Sequence, residues 1–123
     1  RATCGVVASG TATLEAAYFG LPYCLVYKVA WPTYLAARML VKIEHIGLIN
    51  ILAGERVVEE FIQSEADPLH VEQSLARFLD DHAHREGTRR KLLATASLLG
   101  STGAHLRAAT AIGKWVDRAP TRR

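Results

Sequence analysis

Long apolar runs are missing from this sequence of 123 residues. Its densest apolar stretch, residues 18–43, is interrupted by glycine, proline and charged residues. It therefore falls short of the roughly 18 uninterrupted apolar residues that a membrane helix needs. No basic-then-apolar leader with a small-residue cleavage site is found either. With half of its residues apolar and 22% charged, the chain is expected to be an ordinary globular one.

Cysteine is scarce and gives little sign of disulfide or metal chemistry. The two cysteines, Cys4 and Cys24, fall inside predicted strands, which favours reduced, buried, valine-like residues. The five histidines have no cysteine or carboxylate cluster at ligand spacing, so surface histidines are favoured over a metal site. The net charge of +3 is mild; it suits an anionic partner but does not by itself indicate nucleic acid.

Two apolar runs near the start of the chain predict parallel strands. Residues 4–8 and residues 23–29 are short, rich in β-formers and apolar on both faces, as in buried parallel strands. Between them, the spacing of apolar residues is typical of a helix from Thr11 onward, and Gly20 and Pro22 end that helix. A strand, a helix and a strand in this order predict a right-handed βαβ unit.

The rest of the chain is predicted to be mostly helical. Residues 45–49 are expected to form a short third strand, and residues 80–90 a polar segment before a helix. Asp67 and Pro68 supply a helix N-cap and a first-turn proline. The helical stretches are predicted at residues 32–43, 54–63, 68–79, 92–99 and 108–116.

These elements predict a partial Rossmann-like α/β domain, with few parallel strands followed by a helical C-terminal half. Residues 1–66 are expected to hold the strands and motif loops, residues 67–119 the C-terminal helices of the same domain, and residues 120–123 a tail. Two or three parallel strands are too few for a self-sufficient doubly wound sheet. We therefore expect the chain to be a piece of a longer protein.

Residues 9–15 carry the chemistry that the sequence suggests, because they lie where the first strand gives way to a helix. Ligands of open parallel sheets bind beyond the carboxyl ends of the strands, and unpaired amides at a helix start suit a diphosphate. Gly10 permits a close approach, and Ser9, Thr11 and Thr13 add hydroxyl groups. Glu15 either adds favourable charge near the helix start or accepts the hydroxyls of a ribose. A capping box is excluded because Ala12 stands where Ser or Thr is required.

A series of motifs resembles the lipid-A-disaccharide synthase family. The motifs follow the order of that family along nearly the whole chain, at residues 8–17, 20–22, 26–29, 33–38, 40–42, 50–54, 60–63, 100–104 and 107–109. The resemblance implies the C-terminal, donor-binding part of a GT-B glycosyltransferase. Such an enzyme transfers an acylated glucosamine from UDP to the 6-hydroxyl of an acylated glucosamine 1-phosphate, with inversion and without metal or cofactor.

The resemblance also implies a set of residues that bind the UDP-sugar. They are Ser9, Gly10, Thr11, Ala12 and Thr13 near the phosphates, Glu15 at the ribose, and Tyr27, Lys28 and Asn50 in the same cleft. No catalytic residue is expected in this chain, because the general base and the acceptor site belong to the family's N-terminal domain. The chain alone is therefore expected to be inactive.

Partners and location follow from the same resemblance. The implied partners are a UDP-sugar donor, a lipid-linked acceptor sugar, the absent N-terminal GT-B domain and a second copy in a homodimer, with no nucleic acid. The expected location is the cytoplasm, with peripheral contact to the inner membrane. Two alternatives stay open: another UDP-sugar GT-B enzyme, such as a peptidoglycan N-acetylglucosaminyltransferase or an epimerase, and a non-catalytic nucleotide-binding remnant.

Five positions depart from the family pattern. Lys28 stands where arginine is usual, which keeps the charge but loses the bidentate fork. Ile49 replaces a common proline, the order Glu55-Arg56 reverses the usual pair, and Glu59 stands where a proline is frequent. Arg56 is therefore given no phosphate role.

Overall fold

A computed structural model describes residues 2–28, 45–100 and 103–118. The helix predicted at residues 32–43 and the predicted tail at 120–123 lie outside these ranges. In chain order, the elements are β1 (Gly5–Ala8), α1 (Ala12–Tyr18), β2 (Tyr23–Tyr27), α2 (Leu48–Ala53), β3 (Glu60–Ile62), a 3-10 turn (Gln63–Glu65), α3 (Pro68–Asp80), α4 (His82–Ser97) and α5 (Ala104–Arg118).

The three described strands form one parallel sheet with the order β1-β2-β3. Ala8 of β1 lies opposite Val26 of β2, and Tyr27 lies opposite Ile62 of β3. The central strand β2 is buried at its first three residues, whereas β1 alternates between half-buried and exposed positions. The predicted βαβ unit is thus confirmed, and so is the fold class: a partial Rossmann-like α/β domain followed by helices.

Two predictions for residues 45–63 are wrong. Residues 48 and 49 begin α2 instead of ending a strand, and the third strand is Glu60–Ile62, within a stretch predicted to be helical. The apolar residues on both sides of Asn50, at 46–52, form a stretch too short for periodicity to separate helix from strand. β3 forms because β2 offers a free edge, where the N–H of Leu25 donates to the carbonyl of Glu59 at 2.8 Å.

Aspartate caps begin both α3 and α4. The predicted N-cap Asp67 is confirmed: its Oδ1 accepts from the N–H groups of Leu69 at 2.9 Å and His70 at 3.1 Å. Asp81 caps α4 by accepting from the N–H of His84 at 2.9 Å. The polar segment at 80–90 therefore lies largely inside α4, because a local cap starts that helix earlier than its apolar residues suggest.

The core lies between the sheet and the helices α1, α2 and α4. Its buried members are Ala16, Ala17, Tyr23, Leu25, Ile49, Val57, Val58, Leu92 and Ala96. Cys24 is buried in β2 and Cys4 is half-buried; both are free thiols. Burial raises the pKa of the Cys24 thiol above its ordinary value.

The last helix, α5, differs from the others because its residues 104–116 are all exposed. Its large apolar side chains are between about half and three-quarters exposed, and they include Leu106, Ile112, Trp115 and Val116. In the ranges described, no helix is long and apolar enough to cross a membrane.

Candidate functional site

The turn after β1 lies at the carboxyl edge of the sheet, where the sequence places the ligand. The N–H of Ser9 donates to the carbonyl of Val26 at 3.2 Å, so the pairing with β2 continues one residue beyond β1. This bond keeps Ser9 beside Tyr27, since neighbouring parallel strands are roughly 5 Å apart. Tyr27 is half-buried and Lys28, the next residue, is exposed. Backbone pairing therefore holds the turn after β1 and the carboxyl end of β2 in register.

Residues 10–12 present unpaired backbone amides at this edge. Gly10, Thr11 and Ala12 are exposed, and the N–H groups of these residues have no acceptor within the described part of the chain. Gly10 has a φ of +145°, a conformation that residues with a Cβ rarely adopt, and open space surrounds the position a Cβ would take. The turn can therefore receive an anion closely from the solvent side.

Thr13 supports the turn from inside. Its side chain is fully buried, and its hydroxyl donates to the carbonyl of Gly10 at 2.6 Å. The backbone N–H of Thr13 donates to the same carbonyl at 3.2 Å. The Tyr23 hydroxyl in turn donates to the carbonyl of Thr13 at 3.2 Å. The hydroxyl of Thr13 is thus directed to the chain's own backbone.

Glu15 lies one turn further along α1 and is exposed. Its N–H donates to the carbonyl of Thr11 at 3.2 Å, which fixes its place on the helix. In the described ranges, no hydrogen bond or ion pair occupies its carboxylate. The carboxylate is therefore available as an acceptor beside the open turn, and Leu14, half-buried, anchors the same turn of the helix to the core.

Asn50 is fully buried, as Thr13 is, whereas the other predicted site residues are half-buried or exposed. Its Nδ2 donates to the carbonyl of Val58 at 2.8 Å and to the Oε1 of Glu60 at 2.7 Å. Its Oδ1 accepts from the N–H groups of Val57 at 2.8 Å and Val58 at 3.0 Å. The structure thus surrounds this side chain with partners from residues 57–60 of its own chain.

Two polar residues at β3 belong to the family motif at 60–63 but received no role from the sequence. Glu60 is only 7% exposed although it carries a carboxylate. Gln63, at the carboxyl end of β3, is buried and has a φ of +55°, which is uncommon for a residue other than glycine. Apart from that motif, no local pattern indicates their burial, because both lie in a stretch whose strand character depends on pairing with β2.

A cavity among the described residues lies at the opposite end of the sheet. It has a volume of about 580 Å³ and lies between the amino ends of β1 and β2 and the helix α4. Its lining includes Thr3, Phe19, Pro22, Arg85 and Arg89. None of the predicted site residues lines it. Among the described residues, no group of three histidine, cysteine or acidic side chains could hold a metal ion.

A parallel sheet with an open, amide-lined turn at its carboxyl edge defines a Rossmann-like α/β domain of the kind that binds ligands at strand ends. A family model described as lipid-A-disaccharide synthetase matches residues 1–111. The chain belongs to this family.

Curated relatives agree with the family match. The lipid-A-disaccharide synthase of Geobacter sulfurreducens is 42% identical over 104 residues, which is 85% of this chain and 27% of that protein. The synthase of Anaeromyxobacter dehalogenans is 45% identical over 104 residues, with the same coverage of both. That of Persephonella marina is 43% identical over 106 residues, 86% of this chain and 28% of that protein. The chain thus spans little more than a quarter of the length of these relatives.

Proposed function

We propose that this chain binds the uridine diphosphate of a UDP-acylglucosamine donor for a lipid-A-disaccharide synthase. The observation that carries the proposal is the open turn at residues 10–12, whose amides have no acceptor among the described residues. Membership of the family supports the identity of the ligand, and the exposed carboxylate of Glu15 supports the ribose contact.

In this proposal each part of the site has a separate task. The amides of residues 10–12 and the hydroxyls of Ser9 and Thr11 receive the diphosphate, while Lys28 adds positive charge from the end of β2. Glu15 accepts hydrogen bonds from the ribose. Thr13 holds the turn in shape from the buried side.

The reaction proposed for the whole protein is an inverting hexosyl transfer to an acylated glucosamine 1-phosphate. Amide donors and a cation at the diphosphate would stabilise the departing group, a contribution that is often worth several kcal/mol. The proton of the acceptor hydroxyl needs a general base, which we assign to the part of the relatives that this chain does not cover. The chain alone is expected to bind the donor without turning it over.

The same proposal extends to partners and location. The exposed apolar side chains of α5 suit a covering surface, which we assign to the N-terminal GT-B domain; a homodimer is the alternative that sedimentation would reveal. Substrates that carry acyl chains require contact with the inner membrane, so we propose a cytoplasmic protein bound peripherally to that membrane.

Titration of UDP against the natural full-length protein tests the donor site. Glu15→Gln keeps the size of the side chain and removes its charge, and Glu72→Gln, at an exposed position of α3, is the matched control. We expect Glu15→Gln to weaken UDP binding roughly tenfold, as for a lost hydrogen bond to a charged group. UDP binding that is absent, or that responds equally to the two substitutions, would contradict the proposal.

A second titration addresses the alternatives. Tighter binding of a UDP-diacylglucosamine than of UDP-N-acetylglucosamine is expected for a lipid-A-disaccharide synthase, because its donor carries acyl chains. The reverse preference would favour another UDP-sugar enzyme. Donor binding without any transfer to an acylated glucosamine 1-phosphate would favour the non-catalytic remnant.

A further inference from the structure

The buried pair Asn50 and Glu60, named here the Asn50–Glu60 clamp, joins three parts of the chain. Glu60, on β3, accepts from the N–H of Ile46 at 2.8 Å through Oε2, and from the N–H of Gly47 at 2.9 Å through Oε1. Asn50, on α2, donates to the same Oε1 and to the carbonyl of Val58. One carboxylate and one amide thereby connect the start of α2, the loop before β3 and β3 itself.

The clamp leaves Asn50 no capacity for a ligand. A side-chain amide has two N–H donors and two accepting lone pairs. Both donors are used, by Val58 and Glu60, and Oδ1 accepts two backbone N–H groups, those of Val57 and Val58. A bond from Asn50 to a bound donor would have to replace one of these four.

The clamp lies against the strand that ends at the proposed donor site. Leu25 of β2 pairs with Glu60, and Tyr27 pairs with Ile62 two residues further on. A Cβ on Gly47 would come within 3.0 Å of both Leu25 Cδ1 and Glu60 Oε1, so α2 begins in close contact with β2 and the clamp. The clamp therefore fixes β3 and the start of α2 on one side of β2.

The other side of β2 carries the turn that receives the donor. Val26 accepts from the N–H of Ser9, so the carboxyl end of β2 sets the position of the turn after β1. Tyr27 and Lys28 follow directly along the same strand. Displacement of β3 would leave β2 paired on one side only and would loosen the edge to which Ser9 is bound.

We propose that the Asn50–Glu60 clamp is a positioning device for the donor site, which acts through β2 and not by contact with the ligand. This inference rests on the proposed function, since it concerns the affinity of that same site. It assigns a role to Glu60, and it gives Asn50 a supporting role in place of the contact that the sequence suggests.

The test compares UDP affinity among clamp variants and a control of equal stability, all in the natural full-length protein. Glu60→Gln removes the charge and turns one acceptor into a donor that opposes a backbone N–H. Asn50→Asp puts a second carboxylate beside Glu60.

The control is a variant at Phe78 of α3, which is buried outside the main core cluster. Phe78→Leu or Phe78→Ala is chosen so that its melting temperature matches that of Glu60→Gln. UDP affinity is then measured by calorimetry well below both melting temperatures, so that only folded protein is compared.

We expect Glu60→Gln to weaken UDP binding about tenfold and the Phe78 control to stay within about twofold. Asn50→Asp should weaken it at least as much, because an aspartate at this position has no donor for the Val58 carbonyl or for Glu60. If Asn50→Asp does not fold, Gly47→Ala provides a milder displacement of the same carboxylate and should weaken UDP binding severalfold.

The outcomes separate this inference from the proposed function. If the wild-type protein fails to bind UDP, both the proposed function and the clamp proposal are wrong. Wild-type protein that binds UDP, with Glu60→Gln no weaker than the Phe78 control, overturns the clamp and leaves the donor site intact. A loss confined to Asn50 variants, with Glu60→Gln unaffected, would mean that Asn50 contacts the ligand and would also overturn the clamp.

Discussion

Replacing Thr13 with valine tests whether this residue contacts the donor or supports the turn. Valine has nearly the same shape as threonine, so the substitution removes the hydroxyl that donates to Gly10 at 2.6 Å and leaves the packing intact. The Gly10 carbonyl keeps its second partner, the backbone N–H of Thr13 at 3.2 Å. No buried acceptor is left unpaired, so only the net value of one neutral hydrogen bond is lost.

The magnitudes of the two roles differ enough to be measured. A neutral buried hydrogen bond contributes about 1 kcal/mol, or about fivefold in an equilibrium constant. If Thr13 supports the turn, Thr13→Val should lower the local stability of α1 by about this amount and weaken UDP binding by no more than about fivefold. If its hydroxyl binds a phosphate, the loss is that of a charge-assisted bond, roughly 1.5–3 kcal/mol or 10- to 150-fold in affinity, with stability unchanged.

Amide hydrogen exchange of α1 and UDP calorimetry on the same samples give both quantities. Thr13→Ser, which keeps the hydroxyl, serves as the control and should retain most of the protection and of the affinity. A Thr13→Val protein with undiminished α1 protection and a UDP affinity lower by tenfold or more would refute the supporting role.

Two further predictions concern pH. The backbone N–H of His70, together with its side chain, lowers the pKa of Asp67 below its ordinary value of 3.8. The cap therefore stabilises α3 above that pH, and this stabilisation is lost as the pH falls through the lowered pKa. Amide protection of α3 should decrease below about pH 4 in the wild type and less in Asp67→Asn. Burial raises the pKa of Tyr23 above its ordinary value of 10.0, so the fold favours the neutral phenol and loses stability as the pH rises beyond that value. Alkaline unfolding should begin later in Tyr23→Phe than in the wild type, and equal alkaline midpoints would count against this burial.

Local signals were enough for the elements that begin and end at distinctive residues. The first two strands are short and rich in residues that favour β-structure, and the helix between them ends before Gly20 and Pro22. Asp67 with Pro68 marks the start of α3 to the residue. Such features depend on neighbours within one or two turns, so the sequence contains the information needed to predict them.

Residues 45–63 could not be assigned locally, because pairing decides their structure. Glu60–Ile62 has no distinctive strand pattern and becomes β3 only through the free edge of β2. The apolar residues before it are equally compatible with a strand and with α2. Tertiary contacts overrode weak local preferences at both places.

The places of the candidate site residues in the fold were only partly predictable. Ser9 to Thr11 lie at the strand end that the βαβ pattern implies, and Glu15 is exposed beside them. The inward direction of Thr13 could not be foreseen, because a threonine in a first helical turn can point either way. The burial of Glu60 could not be foreseen either, since an acidic residue is normally expected at the surface.

The hydrogen bonds of Asn50 bear on whether this side chain contacts the ligand or supports the site from inside. Its side chain is 0% exposed and all four of its hydrogen-bonding positions are occupied. Turning the amide toward a ligand would leave a backbone group of Val57 or Val58 buried without a partner, at a cost of about 1–3 kcal/mol. That cost is as large as the gain from a new hydrogen bond to a charged phosphate, roughly 1.5–3 kcal/mol. A contact with the ligand would therefore bring Asn50 no net gain, which agrees with the supporting role proposed for this side chain.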